Sequence, residues 1–217
     1  MAIRILLADD HQITRSGLRA LLEQQADMAV VGEADNGRLA VRMAAELKPD
    51  VIVMDINMPE LNGMEASRQI KAELPHTRII ALSMHSDKRY VAGMLKAGVS
   101  SYLLKNCAFD ELVAAIHSVV RRQSYLSPAI ADTVMKDYAS ILEGADPSPA
   151  SQLSSREREV LQLIAEGLST RDISERIHVS VKTVETHRQQ IMRKLNAKSV
   201  AELTKIALRE GLTSLEE

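Results

Sequence analysis

Along residues 1–122, short apolar runs alternate with stretches in which apolar residues recur every three to four positions. The short runs cover 3–8, 28–34, 51–54, 78–82 and 100–104. Runs of that length, bounded by turn residues, predict strands buried on both faces. The periodic stretches at 12–24, 39–47, 64–74, 88–96 and 110–122 predict helices. In the first of these, Ile13, Leu18, Leu21 and Leu22 are assigned to the packed side. The second stops at Pro49, because the residue before a proline is pushed out of the α region, and the fourth stops at Gly98. Strands alternating with helices in this way predict an α/β fold: a doubly wound, five-stranded parallel sheet with right-handed crossovers.

The pattern then changes. Ser127-Pro128 opens a helix to about residue 142, since proline is tolerated in a first turn. Residues 143–151, rich in Gly, Pro, Ser and Asp, have the composition of a linker. Beyond them, Ser154-x-x-Glu157 and Ser199-x-x-Glu202 are capping boxes that open helices ending at Gly167 and Gly211. Ser169 or Thr170 caps a short helix, and 181–195 forms a longer one. Four short helices with tight turns predict a second, small all-α domain. The chain therefore divides into 1–122, a linker 123–152 containing the 128–142 helix, and 153–217.

Polar residues fall at telling places in the first domain. Asp9 and Asp10, Asp55, Ser83 and Lys105 each follow the last apolar residue of a strand, so all lie on one edge of the sheet. That carboxyl edge is where open α/β sheets bind ligands. Two or three carboxylates with few soft ligands favour a hard cation such as Mg²⁺ over zinc. Lys105 supplies a point charge for a phosphoryl group and Ser83 a hydroxyl. These parts suit phosphoryl transfer by positioning and electrostatics, with Asp55 as the nucleophile that becomes an acyl phosphate. His11 and His85 flank the cluster and are expected as exposed neutral histidines.

Composition narrows the remaining possibilities. With Cys107 as the one cysteine, neither an intramolecular disulfide nor a thiolate zinc cluster can form. Charged residues interrupt every apolar run well before the ~20 residues of a membrane helix, and the N-terminus enters a strand pattern directly, so a reduced cytoplasmic setting is expected. Aromatic residues are 2% and Trp is absent, which disfavours base-stacking or sugar-stacking sites. The net charge of −2 hides a local excess: Arg176, Lys182, Arg188, Arg193, Lys194 and Lys198 are opposed over 176–198 only by Glu185. That end expects an anionic partner.

A helical wheel over 181–195 puts Val184, Ile191 and Leu195 on a buried stripe and Lys182, Thr186, Gln189 and Arg193 opposite, with Glu185 at the margin. Amides and hydroxyls can read base edges, and cations can hold phosphates. The wheel turns Arg188 toward the buried side, and His187 is expected to pack.

The set Asp9-Asp10, Asp55-x-x-Met58-Pro59-x-x-x-Gly63, Ser83 and Lys105 resembles the receiver domain of two-component response regulators. The segment Leu153-Ser154-x-Arg156-Glu157-x-Glu159-Val160-Leu161, with Ser180-Val181-Lys182-Thr183-Val184-Glu185-x-His187, resembles the LuxR-type helix-turn-helix. Together they make the chain similar to NarL/FixJ-family response regulators. The resemblance implies that Asp55 accepts a phosphoryl group from a sensor histidine kinase. Asp10, Asp55 and the Asn57 carbonyl would hold Mg²⁺ with Asp9 assisting, Ser83 and Lys105 would contact the phosphoryl oxygens, and Tyr102 would be the aromatic switch. It further implies that Lys182, Thr183, Glu185, Thr186, Gln189 and Arg193 meet double-stranded DNA at inverted half-sites. Dimerisation on activation through Leu203, Ile206 and Ala207, and contact with RNA polymerase, are implied too. Asn106 departs from the family's frequent cis-proline after the lysine, so a trans bond is expected there. Two rivals use the same parts: a Mg²⁺-dependent phosphohydrolase built on an aspartyl phosphate, and a pure interaction module whose helical end binds protein or RNA.

Overall fold

The computed structural model describes residues 2–142 and 152–213, with backbone alone over 136–142. It forms two compact units, divided between Ser140 and Ile141. In the first, β1 (Ile3–Ala8), β2 (Met28–Ala34), β3 (Val51–Asp55), β4 (Arg78–Ser83), β5 (Ser101–Leu104) and β6 (Tyr125–Leu126) make one parallel sheet in the order β2-β1-β3-β4-β5-β6. The order reverses between β1 and β3, and the crevice at such a switch point is where doubly wound sheets take ligands.

Alternation along the strands divides the core in two. On β3, Ile52 and Met54 join one cluster with Ala40, Ala66, Ile70, Val91 and Met94, from α2 (Gly37–Leu47), α3 (Gly63–Glu73) and α4 (Lys88–Lys96). Val51 and Val53 join the other, with Leu22, Leu112, Ile116 and Val119 from α1 (Gln12–Leu22) and α5 (Phe109–Val120). With helices on both faces, β3 is apolar throughout and its one carboxylate stands at the end of the strand. Leu22 is buried as expected, but Ile13 is 89% exposed and Leu21 is also exposed. The packed side of α1 runs through Leu18 and Leu22, because a 3.6-residue repeat turns Ile13 away from them.

The expected five-stranded sheet has a sixth strand. Two-residue β6 is too short to give a periodic signal, yet Tyr125 and Leu126 pair with Ser101 and Tyr102. Helix α6 (Pro128–Leu142) follows, and Ile130 is fully buried in the α2–α4 side of the core. The first unit therefore runs past residue 122, through β6 and along α6 as far as Ser140. The linker composition read at 143–151 lies outside the described residues.

The loop after β3 is fixed by two glycines. The Gly63 amide donates to the Ile56 carbonyl, and a Cβ there would lie 1.8 Å from the Asp55 carbonyl oxygen. A Cβ on Gly37 would lie 2.0 Å from the Leu61 carbonyl oxygen. Helix α2 and the start of α3 thus clamp this loop to a backbone approach that only glycine permits.

The second unit contains α7 (Ser155–Ala165), α8 (Thr170–Arg176), α9 (Val181–Lys194) and α10 (Val200–Arg209) around one cluster with Val160, Leu163, Ile173, Val184 and Ile191. Each helix is capped by a serine: Ser154, Ser169, Ser180 and Ser199. Buried Glu157 closes the first capping box and also accepts from Lys194 Nζ at 2.6 Å, tying the end of α9 to the start of α7. The α10 face expected to dimerise is spent inside the unit. Leu203 and Ala207 are fully buried and belong to its core instead of an interface, while Ile206 packs against that core and is half-buried.

Two substitutions test this packing by thermal denaturation of the full chain. Gly63→Ala should destabilise the first unit by about 2–3 kcal/mol, since the overpacked atom is backbone. Lys194→Met should destabilise the second by about 1–3 kcal/mol, because Glu157 keeps its burial and loses its cationic partner.

Candidate functional site

Asp9 follows β1, Asp55 ends β3, Ser83 ends β4 and Lys105 follows β5. Parallel pairing in register brings these ends together, and the Lys105 amide donates to the Ser83 carbonyl at 2.7 Å. Lys105 Nζ stands between two buried carboxylates, 2.7 Å from Asp9 Oδ2 and 2.9 Å from Asp55 Oδ2. Burial opposes the lysine's charge, but Asp55 and Asp9 outweigh it and hold the ammonium pKa above its ordinary value. Burial likewise pushes the Asp55 carboxyl up, to about 6, against the pull of Lys105. The carboxylate is partly desolvated and paired to a single cation.

Asp55 Oδ1 accepts the Ile56 amide at 2.7 Å, which fixes its rotamer. Asp10 is exposed at the rim, and Asp9 is buried. Among the described residues, one ligand atom from each of Asp9, Asp10, His11 and Asp55 lies within 4.8 Å of the others. Asp9 Oδ2 is close to Lys105, yet no contact of that oxygen has hydrogen-bond geometry. A buried carboxylate oxygen left so, among two more carboxylates, suits a hard divalent cation.

Arg15, and the linking role of His85, escaped sequence reading. Arg15, from α1, donates Nη1–H to the Asp9 carbonyl at 2.6 Å and holds the loop after β1. The expected exposed His85 is instead half-buried at the centre of a network. Its ring stacks on Tyr90 of α4, with centroids 4.4 Å apart, and its Nε2 is 2.8 Å from Asn57 Nδ2. Its amide donates to Ser83 Oγ at 3.0 Å, and its carbonyl accepts from the Tyr102 hydroxyl at 2.7 Å. Tyr102 is fully buried, with its phenol turned inward, and burial raises its pKa. No periodicity marks such contacts, because they join loops. The signal available was only His85 standing two residues after Ser83. The peptide after Lys105 is trans, as expected.

On α9, Lys182, Glu185, Thr186, Gln189 and Arg193 are exposed, while Val184 and Ile191 are buried. Thr183 differs from the other expected contacts: half-buried, its hydroxyl shares a 2.8 Å hydrogen bond with the hydroxyl of the Ser180 cap. The Thr186 hydroxyl donates to the Lys182 carbonyl, leaving its methyl and lone pairs outward. His187 and Arg188 are half-buried. The exposed face carries amide, hydroxyl and cationic groups on one rigid helix, the equipment for a major groove.

Comparison with known proteins bears on both units. Residues 5–117 match the family described as response regulator receiver domain, and residues 151–207 match bacterial regulatory proteins, luxR family. The chain is 37% identical over 215 residues to the oxygen regulatory protein NreC of Staphylococcus epidermidis, covering 97% of this chain and 99% of that one. It is 34% identical over 222 residues to the transcriptional regulatory protein DegU of Brevibacillus brevis, covering 96% and 94%. Among solved structures, RcsB of Salmonella enterica serovar Typhimurium, bound to a promoter in the presence of the phosphomimetic BeF₃⁻, superposes with a TM-score of 0.62 at 25% identity, covering 98% of this chain and 100% of that one. A parallel sheet bearing this acidic edge, followed by a luxR-type helical unit along the whole length of such relatives, places the chain in the NarL/FixJ family of DNA-binding two-component response regulators that control transcription.

Proposed function

We propose that Asp55 accepts a phosphoryl group from a sensor histidine kinase in a Mg²⁺-dependent reaction, and that this switches dimerisation and promoter binding. The observation that carries the reading is the Asp55 carboxylate: buried, fixed by the Ile56 amide and neutralised at 2.9 Å by Lys105. A carboxylate in that state is a nucleophile held in one orientation. Asp9, Asp10 and Asp55, with the Asn57 carbonyl, would hold Mg²⁺, which would supply positive charge to the transferred group. Lys105 and the Ser83 hydroxyl would take its oxygens. Ser83 Oγ accepts the His85 amide, so its movement toward phosphate would pass to the Tyr102 hydroxyl through the same His85 backbone. The family's DNA-binding function falls to α9, with Glu185, Thr186 and Gln189 toward bases and Lys182 and Arg193 toward phosphates. Thr183 acts there as part of the helix cap. RNA polymerase is the downstream partner of the bound dimer.

Radiolabelled small phosphoryl donors should label wild-type protein in the presence of Mg²⁺ and leave Asp55→Asn unlabelled; a variant still labelled at one site would overturn the assignment. The raised Asp55 pKa makes a second, metal-free test. With a folded value of about 6 against an ordinary 3.8, the fold holds the carboxyl proton more tightly than the unfolded chain does. Stability contributed by that proton is full below pH ~4 and lost as pH rises through about 6. Asp55→Asn should therefore raise stability at neutral pH by up to roughly 3 kcal/mol, at about 1.4 kcal/mol per pKa unit, and by little at acid pH.

Selection of bound duplexes with and without beryllofluoride and Mg²⁺ tests the whole switch, which expects an inverted repeat enriched only with the mimic. Within the selected site, Gln189→Ala should relax base preference, while Arg193→Ala should weaken binding evenly and reduce its salt slope by about one. Equal enrichment in both conditions would remove phosphorylation as the control of binding.

A further inference from the structure

His11 stands outside the function proposed above, although it faces the same carboxylates. It precedes α1, directly after Asp9 and Asp10. Its side chain is 67% exposed, yet the imidazole folds back: Nδ1 is 2.8 Å from Asp10 Oδ1 and 3.3 Å from Asp9 Oδ1. Its backbone amide donates to the same Asp9 oxygen at 2.8 Å, so one short loop orients carboxylate and ring together. Neighbouring ligands on an octahedral ion with bonds of about 2.1 Å are about 3 Å apart. The imidazole nitrogen therefore sits at ligand-to-ligand distance from two carboxylates, and it completes a four-residue group with Asp55.

Resting on the reading of the acidic edge as a cation site, we propose that His11 Nδ1 is a further protein ligand for first-row transition cations. Mg²⁺ takes oxygen donors and gives up water reluctantly, so it leaves His11 unbound. Imidazole suits Mn²⁺, Co²⁺ and Zn²⁺, and affinity for nitrogen-containing sites climbs along that series of metals relative to Mg²⁺. A transition ion held by His11 occupies the carboxylates that Mg²⁺ needs. The availability of such ions becomes a second input to the phosphoacceptor, independent of the kinase.

The test uses the full chain and the metals alone. Calorimetric titration with MgCl₂ and with CoCl₂ compares wild type, His11→Ala and Asp10→Asn; an exposed side chain makes His11→Ala safe for folding. His11→Ala should weaken Co²⁺ binding at least about tenfold and change Mg²⁺ binding less than about twofold, whereas Asp10→Asn should weaken both. Pulsed electron paramagnetic resonance of bound Mn²⁺ should show ¹⁴N modulation in wild type and none in His11→Ala. Unchanged Co²⁺ affinity together with unchanged modulation would overturn the role of His11 and leave the acidic site standing. Absence of binding by either cation to wild type, or an Asp10→Asn variant without effect, would overturn the acidic-site reading and this proposal with it.

Discussion

The first unit depends on the placement of one ammonium group. Lys105 leaves the end of β5 and lies between the carboxylates of Asp9 and Asp55, which end or follow the two strands at the switch point. Two buried carboxylates so close would repel, and each would be costly to hold in a low-dielectric edge. The shared cation makes their coexistence tolerable, and it does so incompletely, since burial still leaves the Asp55 pKa raised. The site is thus a charged arrangement short of positive charge. That deficit gives it an appetite for a cation and makes it responsive to one more anion.

The surrounding structure serves to hold that arrangement. The two glycine contacts fix the loop after β3, and Arg15 holds the loop after β1. The His85 network couples the Ser83 hydroxyl to Tyr102 and Tyr90 through one residue's amide, carbonyl and ring. The second unit solves a similar problem more simply. Serine caps and the pairing of buried Glu157 with Lys194 align short helices whose intrinsic stability is marginal, so that α9 presents a rigid polar face.

Much of this was legible in the chain itself. Apolar runs closed by Asp9, Asp55, Ser83 and Lys105 announce both the strands and the edge they share, because a strand buried on both faces must carry its polar residues at its ends. Capping boxes at Ser154 and Ser199 likewise mark helix starts, since their hydrogen bonds are local. What could not be read depends on contacts distant in sequence. Ile13 and Leu203 show the two directions of that failure: an apolar residue left in solvent on α1, and an apolar face of α10 consumed by its own core. Periodicity says that a face exists and not what covers it. Strand β6 was missed for a related reason, as two residues gain strand geometry only from the neighbour they pair with.

That small strand has a mechanical consequence. β6 is paired to β5, with Tyr102 opposite Leu126 and the Ser127 amide on the Tyr102 carbonyl. The chain leaving the first unit is therefore fastened to the strand that carries both Tyr102 and Lys105. A shift of that strand displaces the anchor of the tether directly, through main-chain hydrogen bonds. The outgoing segment is mounted on β5 by its backbone, so any displacement of that strand would reach it without a relay of side chains.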